Sequence, residues 1–153
     1  MGGRGASIHP RRACFAAAVK RGAFRRAWMR DVVVTLDQLV SRAIEQYRRR
    51  TEKLLLSARR KNSIAVRIDA VRQAIQMRQA ELLVVAEDAA EYVSSPRERS
   101  VQLGRKLMFF GTEESLGRLF GDGATTVVAL IDRAIAQELT RAAECMAALA
   151  EGA

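Results

Sequence analysis

Glu81-Leu82-Leu83-Val84-Val85-Ala86-Glu87-Asp88-Ala89 decides the fold, because Leu82 to Ala86 is an unbroken apolar run bounded by acids. A strand with one wet face alternates apolar and polar residues, whereas five consecutive apolar residues need cover on both faces. The run therefore predicts a buried strand in a sheet flanked by helices.

Outward from it, strand and helix signals alternate. Upstream, Ser63 to Val66 predicts a short strand, and Ile68, Val71 and Ile75 form one helical face. Downstream, Ser95, Pro96 and Glu98 supply an N-cap, an N1 proline and a capping acid for a further helix. Leu107 to Phe110 predicts a strand. Thr112, Glu113 and Glu114 open a short helix that closes near Gly121. Thr125 to Ile131 is the most β-prone segment, and Ile135, Leu139, Ala142, Met146 and Leu149 make one stripe of a closing helix. The expected class is α/β.

Nearer the N-terminus the composition changes. Thr35 and Gln38 fit a capping box, and Leu36, Leu39, Val40, Ala43, Ile44 and Tyr47 follow with helical period. The cluster Arg48 to Arg50 separates these from Leu54, Leu55 and Ala58, which either continue that helix or begin another, with Asn62 as a stop. Before Thr35 the chain is basic and mainly helical. Phe15 pairs with Val19 and Phe24 with Trp28 at i,i+4 spacing, Gly22 breaks the two, and these apolar side chains read as core. The expected organisation is a basic segment over 1–34, a connecting helix over 35–50 and an α/β domain over 51–150.

Charge follows the same division. Residues 1–60 carry 15 basic and 4 acidic side chains, whereas 61–153 carry 11 and 13. A dense arginine field attracts phosphate and gains affinity by releasing its counterions, so a polyanionic partner is expected. Hydrophobic content of 49% excludes a disordered polar chain, and aromatic content of 5% argues against a broad base-stacking platform. No apolar run is long enough to span a bilayer. The basic, acid-free first 30 residues superficially suit a transit peptide, but the early Gly/His/Pro stretch interrupts the amphipathic helix that one needs.

Cys14 and Cys145 lie far apart without a CxxC, and His9 is the single histidine, so no disulfide framework, metal or cofactor is expected and a reducing cytoplasm is the default. Cys14 reads as a small buried residue. Glu87 with Asp88, and Glu113 with Glu114, are adjacent acids without a histidine or ligand spacing, and Gly117 to Gly121 lacks the GxxxxGK[ST] pattern. No enzyme is expected.

Four runs, Leu54 to Arg60, Glu81 to Ala89, Gly111 to Gly117 and Val127 to Ile131, resemble in order and spacing the kink-turn RNA-binding ribosomal protein superfamily, the L-seven-Ae and L-thirty-e group. The resemblance covers about residues 50–145 and implies a three-layer α-β-α sandwich with a small mixed sheet. That family reads kinked RNA with a Gly-x-Asn-Glu-x-x-Lys pattern, which falls here on Arg67, Asp69, Ala70 and Gln73; none keeps the family residue. The first 30 residues, with Gly3-Arg4-Gly5-Ala6, His9-Pro10, Cys14, Lys20-Arg21-Gly22 and Phe24-Arg25-Arg26-Ala27, are similar to the C-terminal half of the bacterial YlxR family, small basic proteins thought to bind nucleic acid. Some bacteria join such a module to a kink-turn-type domain. A whole module needs several tens more residues upstream, so an incomplete one is expected.

The candidate RNA contacts are then Arg4, Arg11, Arg12, Lys20, Arg21, Arg25 and Arg26 in the basic segment. Arg59, Arg60, Lys61, Arg67, Arg72 and Gln73 form a second group at the edge of the sandwich. The expected function is non-catalytic binding of ribosomal or other structured RNA through phosphate, with the ribosome or a transcription or translation factor as further partner. Two other readings stand beside it: a protein-interaction module that has lost kink-turn recognition, and attachment to anionic membrane through Phe15, Val19, Phe24 and Trp28.

Overall fold

Leu82–Val85 is indeed an inner strand of a four-stranded sheet. The computed structural model describes residues 8–22, 35–92 and 106–151. Its elements in chain order are α1 (Arg12–Lys20), α2 (Leu36–Arg60), β1 (Ile64–Ala65), α3 (Ile68–Gln76), β2 (Leu82–Val85), a 3-10 turn (Glu87–Tyr92), β3 (Lys106–Phe109), α4 (Glu113–Phe120), β4 (Val127–Leu130) and α5 (Arg133–Ala150). The helix expected from Ser95, Pro96 and Glu98 lies outside the described residues, as do Phe24 and Trp28.

The sheet order is β1-β4-β2-β3, with β2 and β3 parallel and the other two pairs antiparallel. Because side chains alternate along a strand, the register assigns the two faces. Leu83 sits opposite Ala129, and with Ala65 they pack against Val71 and Ala74 of α3. The other set, Ile64, Leu82, Val84, Val128 and Leu130, is equally buried. Helices therefore cover both faces, as an α-β-α sandwich requires. Leu55, Leu116 and Leu139 are fully enclosed, each stabilising the fold by about 1.5–3 kcal/mol on burial.

The chain divides into two compact units, Thr51–Thr140, which holds this sheet, and Met1–Arg50 with Arg141–Ala153. In the second of these, α1 has no fully buried residue, and Phe15 and Val19 are half-buried rather than core. Arg12 pairs with Asp37 at 3.2 Å. Tyr47 is hydrogen-bonded to Cys145, and its hydroxyl is held above the ordinary tyrosine value, chiefly by burial and then by that bond.

The structure resolves the alternative left open at the arginine cluster, and β1 is shorter than the sequence predicts. The arginine cluster does not interrupt α2, since Arg48, Arg49 and Arg50 all fall on exposed positions of one continuous helix. Asn62, at φ 53°, is where the chain leaves it. Ser63 and Val66 flank β1 rather than extend it: the Ser63 N–H and hydroxyl both donate to the Ala58 carbonyl, closing the helix end. The capping box at Thr35 with Gln38 forms as expected, and Thr112 opens its helix as expected, in a capping box whose reciprocal partner is Ser115.

Candidate nucleic-acid interface

The β1-to-α3 connection places cations at one edge of the sandwich. Arg67 is the N-cap of α3 in extended backbone, φ −80° and ψ 146°, so arginine occupies this position without strain. It supplies no side-chain cap, and its side chain is exposed. Arg59 arrives from the last turn of α2. The two lie on the lining of a cleft of about 330 Å³ whose other lining residues are Ile64, Ala65, Val66, Ala70, Phe120, Gly121 and Asp122. Both arginines are exposed.

Asp122 enters from the turn after α4 and faces Arg67 at 3.9 Å. This carboxylate was not singled out from the sequence, because no local pattern connects positions 67 and 122; only the return of the chain through Gly121 brings them together. An exposed pair of this kind adds little stability and is readily exchanged for another anion.

The remaining edge candidates do not line the cleft. Arg60 and Lys61 are exposed at the end of α2, and Arg72 and Gln73 are exposed on α3, where the Gln73 amide donates to the Met77 sulfur at 3.7 Å. In the basic segment, Arg11 is the N-cap of α1, while Lys20 and Arg21 are exposed at its end. Arg12 is partly withdrawn by its ion pair with Asp37. Arg4, Arg25 and Arg26 lie outside the described residues.

A larger depression of about 510 Å³ is lined by Asp88, Glu113, Glu114, Gly117 and Arg118, among others. Its acids already have structural work. The Asp88 carboxylate accepts from the Glu113 N–H at 2.9 Å, Glu113 accepts from the Thr126 hydroxyl, and Glu114 pairs with Arg118. A further depression of about 470 Å³ is lined by His9, Pro10, Arg11, Cys14, Glu144, Cys145 and Ala148. Cys14 is half-buried there rather than enclosed, and both cysteines are free. Among the described residues no group of three metal-ligating side chains converges, and no helix is long and apolar enough to cross a membrane.

No protein-family model and no curated protein matches the chain. A solved Bacillus halodurans protein of unknown function is similar in fold, with a TM-score of 0.54 and 20% identity over 61% of this chain and 96% of that one. The likeness concerns fold alone.

Proposed function

We propose that the chain is a non-catalytic, cytoplasmic RNA-binding protein that engages ribosomal or other structured RNA mainly through phosphate. The observation that carries this reading is the cleft that brings Arg59 and Arg67 together beside the first turn of α3. Guanidiniums pair bidentately with phosphate, and the helix start adds amide donors of the same sign. The resemblance to kink-turn binders supports the same edge, while the changes at Arg67, Asp69, Ala70 and Gln73 remove the groups that would read bases. The similarity to the YlxR family supports a further contribution from Arg11, Lys20, Arg21, Arg25 and Arg26.

Replacing Arg59 and Arg67 together by Gln tests the edge. Affinity for a structured RNA is expected to fall alike for unrelated sequences, and its salt slope to drop by about 1 for each lost phosphate contact. Fluorescence anisotropy at several salt concentrations reads both, and unchanged binding refutes the edge.

One observation favours the protein-interaction reading. Ile68 and Met77 stand 51% and 58% exposed at the two ends of α3, an apolar cost that docking would remove. Replacing both by Gln would abolish partner capture on that reading and leave RNA affinity unchanged on ours.

A further inference from the structure

The 25-residue helix α2 carries seven basic residues and three acids, and their placement around the helix is uneven. At about 100° per residue, Arg49, Lys53 and Arg60 lie within about 20° of the line through Arg42. The buried residues Val40, Thr51, Leu55 and Ala58 fall within about 40° of the opposite direction. Arg42, Arg49, Lys53 and Arg60 thus form the outer crown, and all four are exposed.

A merely solvated helix face would intersperse both signs. Here no acid lies on the crown. Glu45 and Glu52 are both displaced to the same flank, where Glu45 reaches Arg49 at 3.3 Å across one turn. Such an exposed i,i+4 pair is weak enough to yield to a phosphate. The row extends about 27 Å, over which a nucleic-acid duplex presents about 16 backbone charges.

We infer that the crown of α2 is a second phosphate-binding face, which lies against the backbone of an RNA duplex. It is separate from the cleft at the start of α3 and extends the proposed function, on which it rests for the choice of RNA. Charge complementarity selects the partner. A membrane surface would need an apolar face offered outward, whereas the apolar face of α2 is buried and Leu56, 37% exposed, is the one large apolar residue close to the crown.

The test compares two full-length variants, Arg42→Gln/Arg49→Gln/Lys53→Gln for the crown and Arg59→Gln/Arg67→Gln for the cleft, on a 20-base-pair RNA duplex. Arg60 is left intact because it adjoins both. Glutamine keeps helix propensity, and circular dichroism checks the helix. The crown variant is expected to bind at least about tenfold more weakly at low salt, with a salt slope flatter by about 2 to 3. An Arg42→Lys/Arg49→Lys variant, which keeps the charge, is expected to retain binding.

Wild-type affinity in the crown variant overturns the inference even if the cleft variant loses binding. Loss in the crown variant alone supports the inference and removes the cleft reading. Failure of the wild-type protein to bind duplex overturns the inference, and failure on every structured RNA overturns the proposed function as well. Crown-dependent binding to phosphatidylserine vesicles or to an acidic protein, without any to RNA, also overturns it.

Discussion

Tyr47 gives the clearest residue-scale consequence. Burial disfavours the phenolate, and the hydrogen bond and then the charge interaction with Cys145 act in the same direction; the nearby Arg50 charge opposes them and is the smallest contribution. Below the ordinary tyrosine value of about 10 both folded and unfolded chains hold the proton, so this contribution to stability is complete. Above it the unfolded chain ionises first, and the contribution is lost as pH rises through the higher folded value. Tyr47→Phe is expected to lose about 1 kcal/mol near neutrality through the missing hydrogen bond, yet to decline less steeply between about pH 9 and 11. Urea midpoints across that range measure both effects, and parallel curves for the two proteins would refute the assignment.

At the scale of elements, α4 and the turn after it depend on Gly117. The Gly117 carbonyl accepts from the Gly121 and Asp122 N–H groups, and Gly121 ends the helix in the left-handed region at φ 68°. A Cβ on Gly117 would lie 1.1 Å from the Gly123 carbonyl oxygen. Gly117→Ala should gain about 1 kcal/mol in helix propensity and still lose a net amount of about 1–3 kcal/mol, because backbone must move. The shift would also carry Asp122 away from Arg67. Thermal unfolding measures the stability change; a more stable variant would show that the turn adapts freely. This contact was invisible in the sequence, where Gly117 falls inside a helical pattern, because it depends on where the chain returns at Gly123. The helix limits at Thr35, Thr112 and Gly121 were legible, since caps and left-handed glycines act locally. The course of α2 past Arg48 to Arg50 was left open, because a charge cluster on an exposed face looks the same as one at a helix end. The family resemblance puts Arg59 and Arg67 at one edge, but the Asp122 carboxylate beside Arg67 has no local signal in the sequence.

For the whole molecule, the formal charge of +9 understates the local field, because positive charge is concentrated in residues 1–60 and the remainder is slightly negative. On the proposed function, repulsion from that remainder would make phosphate binding depend on close contacts, whose strength comes from displaced counterions and decays with added salt. If Arg59, Arg60, Lys61, Arg67 and Arg72 act together with at least two cations of the basic segment, about seven phosphates are neutralised, and affinity should fall by about 10³ to 10⁴ between about 50 and 200 mM salt. Two RNAs of equal length and shape but unrelated sequence should follow the same line, since phosphate contacts position the chain without reading bases. Anisotropy titrations at four or five salt concentrations settle the slope. A shallow dependence combined with strong preference for one sequence would mean that bases are read after all, by residues other than these arginines.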